Sequence, residues 1–100
     1  MKDYFIFRET SNKGWQIVPN YDALGVKSVN GSYSVLAARF MGLSWPNWLR
    51  FCRNNGANLY GKNSIYTTAV WNEPNKDFLK QLNERTELIA SKIKIKELAY

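Results

Sequence analysis

Few side chains in this sequence of 100 residues can catalyse a reaction. There is no His and a single Cys, so neither a Ser-His-Asp triad nor a Cys-His pair can form, and a zinc site lacks ligands. Metal-dependent nucleases need clustered acids, whereas the eight acidic residues here are scattered. We therefore expect a protein that is not an enzyme and that holds no metal and no cofactor.

The basic side chains are distributed unevenly along the chain. The formal net charge is +6, and residues 23–72 contribute +5 of it because they include five basic residues and no acidic one. A stretch of this length without a carboxylate suits a surface that meets phosphates or an acidic partner. The alternative is a solvated basic surface that binds nothing. The five cations are Lys27, Arg39, Arg50, Arg53 and Lys62.

The length and composition predict one domain with one small core, because 45% of the residues are hydrophobic. A single Cys cannot form an intramolecular disulfide, which fits a reducing compartment. Charged residues interrupt the first twenty positions, so no signal-peptide core fits there, and no apolar stretch is long enough to span a membrane. We expect a cytoplasmic protein without membrane contact.

Residues 1–20 predict a β-hairpin that precedes the basic stretch. Residues 4–8 and 15–18 are aromatic and β-branched, as strands are, and the turn-rich segment between them has the length of a hairpin loop. Four aromatic side chains on this hairpin belong either to the core or to a surface that stacks on bases. They are Tyr4, Phe5, Phe7 and Trp15.

The basic stretch itself predicts two short helices and a second hairpin. A helix over residues 35–41 follows Ser32 or Ser34 as its cap and stops at Gly42. The next helix, over residues 45–54, has a Ser cap before it and a Pro in its first turn. The hairpin follows, with extended segments 57–60 and 65–71 on either side of a turn at 61–64.

A final amphipathic helix is predicted within residues 75–97, capped by Asn75. Its apolar stripe serves either as core or as the seam of a homodimer. Residues 92–96 alternate strictly and could instead form a strand. The stripe comprises Leu79, Leu82, Thr86, Ile89 and Ile93, with Phe78 beside it.

Residues 34–53 resemble a helix-turn-helix motif. Ala38 stands at the position where the two helices cross too closely for a larger side chain, and Gly42 follows four residues later at the turn. The other matching positions are Leu43 and Ser44 in the turn and Trp48 and Phe51 as apolar anchors of the second helix.

The segment after this motif resembles the wing of a winged helix, with its tip at residues 61–64. The order of helix, Gly-Leu-Ser turn, helix and Gly-led hairpin is similar to that of small excisionase and MerR-type DNA-binding domains. The resemblance implies an α+β fold in which residues 32–71 form a winged helix-turn-helix core. It also implies a regulator of transcription or recombination that binds double-stranded DNA, as a homodimer through the C-terminal helix.

The resemblance assigns the DNA contacts to six residues. Arg50 would bind a guanine edge bidentately and Asn47 an adenine edge, because these side chains match the hydrogen-bonding groups of those bases in the major groove. Arg39 on the first helix and Lys62 at the wing tip would bind phosphates. The open face of the second helix is completed by Arg53 and Asn54.

Three residues of the second helix depart from the pattern of a DNA reader. Trp45, Pro46 and Leu49 are apolar where polar side chains are usual, so this helix is either mostly buried or binds a protein. Residues 49–66 resemble short phage and prophage proteins. The alternative function is therefore a phage-encoded inhibitor of a host defence protein, similar to anti-CRISPR proteins. Burial of Trp45, Trp48 and Leu49 would favour DNA if Asn47, Arg50 and Arg53 are exposed. An exposed apolar patch of Trp45 and Leu49 would favour a protein partner.

Overall fold

The computed structural model describes residues 3–27, 31–61 and 64–96, with side chains in the last range as far as residue 90 and at residue 92. Within these residues the fold is α+β, with two antiparallel strand pairs and four helices, which confirms the predicted class. The elements in chain order are β1 (Phe5–Glu9), β2 (Trp15–Pro19), α1 (Tyr21–Leu24), α2 (Tyr33–Met41), α3 (Trp45–Asn54), β3 (Asn58–Tyr60), β4 (Thr68–Val70) and α4 (Lys76–Lys96).

The N-terminal hairpin forms as predicted, with Phe5 opposite Pro19 and Glu9 opposite Trp15. Tyr4 and Phe5 are buried while Phe7 and Trp15 are half-buried against the core, which confirms the core interpretation of these aromatic residues. The two hairpins meet where Trp15 and Trp71 exchange backbone hydrogen bonds, each N–H donating to the other's carbonyl oxygen at 2.8 Å.

The turn between α2 and α3 follows from two residues, Gly42 and Ser44. Gly42 adopts φ 69° and ψ 28°, a left-handed conformation that disfavours side chains, and its N–H donates to the carbonyl oxygens of Ala38 and Arg39. The Ser44 hydroxyl accepts a hydrogen bond from the N–H of Asn47 at 3.4 Å and so begins α3. Both helix ends therefore fall where the sequence predicts them.

The β3–β4 hairpin is shorter than predicted. The β-branched run from residue 65 predicts a strand, but Ser64 and Thr67 instead close a turn, because the N–H of Thr67 donates to the Ser64 carbonyl oxygen at 3.0 Å. The Ser64 hydroxyl also accepts from the N–H of Tyr66 at 3.1 Å. The prediction of extended structure for Ile65 is therefore wrong, since Ser64 offers its backbone a local alternative to strand pairing.

The helix α4 packs against α2 and β1. It begins after Asn75, whose Oδ1 accepts from the N–H of Phe78 at 3.0 Å, and it remains helical to Lys96, which excludes the strand alternative there. The predicted apolar stripe coincides only in part with the buried face of α4, because its members Leu79 and Ile89 are only half-buried. The buried residues of α4 are Phe78, Leu82, Asn83, Thr86 and Ala90. The side chain of Ile93 and residue 97 lie outside the described part.

In the described part of the chain, none of the helices is both long and apolar enough to cross a membrane.

Candidate nucleic-acid interface

The outer face of α3 is polar and exposed, whereas its inner face is fully buried. Trp48 and Cys52 have no exposed surface, and Leu49 exposes 7% of its surface. The polar side chains project from the other side, because positions three and four apart share one face of a helix. The exposed residues of this outer face are Asn47, Arg50, Arg53 and Asn54.

The inner face of α3 is fixed by aromatic contacts with α4. The ring centroids of Trp48 and Phe78 lie 5.8 Å apart, and those of Phe51 and Phe78 lie 5.0 Å apart. Trp48 and Phe51 are the residues that the sequence predicts as anchors. Because rings at these distances resist rotation of the helix about its axis, they determine which side chains α3 turns towards solvent.

Two of the exposed side chains are joined to each other. The Arg50 Nη1 donates a hydrogen bond to the Asn47 Oδ1 at 2.9 Å, one helical turn earlier. This bond uses one of the five N–H donors of the guanidinium and holds the group beside Asn47. The remaining donors of Arg50 can still bind two acceptors on one edge of another molecule.

The remaining two predicted contacts do not lie on α3. Arg39 is exposed on a different helix, α2. Lys62 lies outside the described residues, and the prediction of a cation at the hairpin tip therefore has no structural account. The structure brings four of the six predicted residues together on one helix.

The apolar residues that depart from the pattern do not form an exposed patch. Leu49 is buried, and Trp45 is half-buried against the core with its indole Nε1 shielded from solvent. The third, Pro46, is exposed at the start of α3, where a missing N–H has no cost. Apart from Pro46, the exposed residues of α3 are therefore polar or charged.

The single cysteine, Cys52, lies in the core. Burial raises the pKa of the Cys52 thiol well above its ordinary value of 9.0, so this side chain is an unreactive part of the core. Within residues 3–27, 31–61 and 64–96, His, Cys, Asp and Glu nowhere gather in threes that could hold a metal ion.

The sequence interpretation missed the exposed apolar residues of the β3–β4 hairpin. Tyr60 exposes 58% of its surface, Ile65 46% and Tyr66 66%. The signal that could have revealed them is the pair of tyrosines on either side of the predicted turn, within the stretch that has no acidic residue.

Comparisons with protein-family models, curated proteins and solved structures gave no match to this chain. Its function must therefore be inferred from the residues of α3 and of the neighbouring hairpin.

Proposed function

We propose that this protein is a winged helix-turn-helix DNA-binding protein that acts in the control of transcription or recombination. The observation that carries this proposal is the two-sided character of α3, with Asn47, Arg50 and Arg53 exposed opposite the buried Trp48 and Leu49. A helix of this kind fits the major groove of B-DNA, where side chains can reach the base edges.

The roles of the side chains follow from their donor and acceptor groups. Arg50 binds the O6 and N7 atoms of a guanine with two parallel hydrogen bonds, and Asn47 binds an adenine beside it. The hydrogen bond between these two residues supports this role, because a guanidinium held in one place loses less entropy on binding. Arg53 and Asn54 extend the contact along α3, and Arg39 and Lys62 bind phosphates.

The neighbouring elements support the same arrangement. Ala38 is buried on α2, and Gly42 in its left-handed conformation allows the chain to change direction between α2 and α3. The β3–β4 hairpin follows α3 directly, as a wing follows a recognition helix. In this proposal α2 braces α3 against the groove, and the hairpin contacts the adjacent DNA backbone.

The alternative, an inhibitor of a host protein, predicts an exposed apolar patch at Trp45 and Leu49. The burial of Leu49 and the partial burial of Trp45 do not favour it. A phage origin and a homodimer through α4 stay predictions. For the dimer, Phe78 and Leu82 are already used in the core of the protomer, and Leu88 is a large apolar side chain of α4 that stays exposed.

The experiment is a binding titration with labelled duplex DNA of random sequence, followed by selection of preferred sequences. Replacing Arg50 and Arg53 by Ala should lower the affinity for any duplex and relax the preference at one base position by about 1–3 kcal/mol. The matched control replaces Lys76 and Lys80, two exposed cations of α4, and so removes the same charge elsewhere. Equal losses in both variants, or full affinity in the Arg variant, would contradict the proposed role of α3.

A further inference from the structure

A cleft opens where β2, β4 and the start of α2 meet, and its volume is about 240 Å³. The two strands are joined at one end by the backbone hydrogen bonds between Trp15 and Trp71, and residues of both strands line the cleft beyond this pair. The volume is large enough for several water molecules and smaller than the pockets that take drug-sized ligands. The cleft therefore suits a small ligand.

The two strands turn buried backbone groups towards this cleft. Both backbone groups of Trp15 bond to Trp71, so they point away from β1, and because this direction alternates along a strand, those of Ile17 point the same way. The same alternation applies to Ala69, two residues before Trp71. Beyond Trp15 and Trp71, no backbone hydrogen bond joins β2 to β4 in the described part of the chain. The N–H and carbonyl groups of Ile17 and Ala69 therefore lack a strand partner, although these residues expose only 2% and 4% of their surfaces.

The start of α2 adds further hydrogen-bond donors to the cleft. Ser32 precedes the helix but forms no side-chain cap, so the N–H groups of Tyr33 and Ser34 have no acceptor among the described residues. All three residues line the cleft, and the first turn of α2 contains no acidic side chain. Free N–H groups at the start of a helix attract anions, because the helix dipole is positive there.

Two serine hydroxyls of the cleft also lack partners. Ser34 exposes 4% of its surface, and its hydroxyl forms no hydrogen bond within the described residues. The Ser32 Oγ is shielded from solvent and is likewise unpartnered. Buried hydroxyls are normally hydrogen-bonded, as at the start of α3, where the Ser44 hydroxyl caps its own helix. The unpartnered serines are therefore an observation, separate from the helix dipole, that indicates a ligand in the cleft.

The groups of the cleft define the chemistry of this ligand. The N–H and hydroxyl groups at the start of α2 donate to the oxygen atoms of an anion, whereas the carbonyl oxygens of Ile17 and Ala69 need a donor. None of the described residues that line the cleft is charged, so no carboxylate repels an anion there. Hydrogen phosphate fits both sides, because it is an anion that carries an O–H group. Sulfate has the same shape but no O–H at neutral pH.

We propose that this cleft binds a hydrogen phosphate group. Its oxygen atoms accept from the N–H groups of Tyr33 and Ser34 and from the hydroxyls of Ser32 and Ser34, and its O–H donates to the carbonyl oxygen of Ile17 or Ala69. Inorganic phosphate and the terminal phosphate of a small metabolite share this chemistry, whereas the diester of a nucleic-acid backbone has no O–H. This inference goes beyond the proposed DNA-binding function and does not rest on it.

The experiment follows the amide resonances of Tyr33 and Ser34 in separate titrations with inorganic phosphate, glycerol phosphate, sulfate and dimethyl phosphate. Ionic strength is constant, and the pH is about 6, where a phosphomonoester still carries an O–H. We expect saturable shifts with inorganic phosphate or glycerol phosphate, and the tighter of the two identifies the source of the group. Sulfate and dimethyl phosphate should bind at least about tenfold more weakly, because a site that bonds an O–H rejects analogues without one.

Two variants test the start of α2 directly. Ser32→Asp should keep the helix, because Asp is a favoured cap, but its carboxylate should abolish phosphate binding by taking the free N–H groups. Ser34→Ala should weaken binding by about tenfold, because it removes one donor. Ser44→Ala is the matched control, since it removes the hydroxyl at the start of α3 and should leave the phosphate affinity unchanged.

Three results would overturn this inference. The first is the absence of saturable shifts, which would show that the cleft holds water only. The second is an equal affinity for sulfate or dimethyl phosphate, which would indicate unselective anion binding. The third is phosphate affinity that survives Ser32→Asp, or that falls as much in Ser44→Ala as in Ser34→Ala. None of these results bears on the binding of DNA by α3, which is measured separately.

Discussion

Asn83 of α4 binds both polar backbone groups of Phe5 in β1. The N–H of Phe5 donates to the Asn83 Oδ1 at 2.9 Å, and the Asn83 Nδ2 donates to the Phe5 carbonyl oxygen at 3.2 Å. The same Oδ1 also accepts from the N–H of Tyr4 at 2.9 Å. One buried amide therefore satisfies the backbone at the outer edge of β1 as a neighbouring strand would, and this contact joins the start of the fold to its last helix.

Replacing Asn83 by Ala should destabilise the protein by about 2–4 kcal/mol, because three buried backbone groups of Tyr4 and Phe5 would lose their partners. Urea denaturation measures the change. Gln81→Ala, at an exposed position of the same helix, is the control and should change the free energy of unfolding by less than about 0.5 kcal/mol. Similar midpoints for the two variants would show that the Asn83 contacts contribute little.

The turn between α2 and α3 offers a second test. Gly42→Val should cost about 1–3 kcal/mol, because a β-branched residue fits poorly at φ 69°. Ala38→Leu should cost about the same, because Ala38 exposes only 5% of its surface and a larger side chain would overpack the core. Gly42→Asn is the control, since Asn tolerates the left-handed region better and should cost less than Val. Thermal melting is the measurement. If Gly42→Val and Ala38→Leu both melted at the same temperature as the wild type, the proposed packing of this turn would be contradicted.

The elements that could be predicted from the sequence are those whose causes are local. Gly42 and Ser44 fix the ends of α2 and α3 through groups within a few residues, so both ends are correct. The predicted start of β4 is wrong, because the Ser64 hydroxyl and carbonyl oxygen accept backbone hydrogen bonds that hold this β-branched segment in a turn. The role of Asn83 depends on a contact with Phe5 across most of the chain, and no local pattern indicates it.

In the candidate site, too, the features with local causes could be predicted and those that depend on distant contacts could not. The exposure of Asn47 and Arg50 follows from helical periodicity, which the sequence contains. Leu49 shares the apolar stripe of Trp48 and Cys52, but periodicity does not tell whether that stripe is covered by the core or exposed to a partner, because this depends on the contact of Trp48 with Phe78 of a distant helix.

Binding to duplex DNA should depend strongly on salt. If Arg39, Arg53 and Lys62 each neutralise a phosphate, the logarithm of the binding constant should fall with the logarithm of salt concentration with a slope of about −2.7 per protomer. Replacing Arg53 alone by Ala should make the slope less steep by about 0.9. Titrations between low and physiological salt measure it. A flat response, or no binding at about 50 mM salt, would contradict a phosphate-binding surface.

Stability should fall as the pH rises above the ordinary thiol pKa of 9.0, because the unfolded chain then releases the Cys52 proton while burial keeps the folded thiol protonated. The native state binds more protons there, so the free energy of unfolding decreases by up to about 1.4 kcal/mol per pH unit. Urea denaturation at pH 8, 9 and 10 measures the trend (the buried Tyr4, whose pKa is also raised, adds to it above pH 10).

The control for this pH dependence is Cys52→Ala. This variant should be less stable at neutral pH because it leaves a small cavity in the core. It should nevertheless lose most of the decline between pH 9 and pH 10. If the free energy of unfolding fell equally with pH in the wild type and in Cys52→Ala, the pH dependence would come from groups other than Cys52.

The pairing of Trp15 with Trp71 has a consequence for the order of folding. A two-stranded hairpin alone is at best marginally stable, so neither hairpin is expected to persist until this distant pairing closes. Closure costs loop entropy before other contacts compensate for it, so we expect the contacts of Trp71 to form at the rate-limiting step of folding. Trp71→Phe should therefore slow refolding in stopped-flow measurements more than it speeds unfolding, and the two hairpins should form in a single kinetic step.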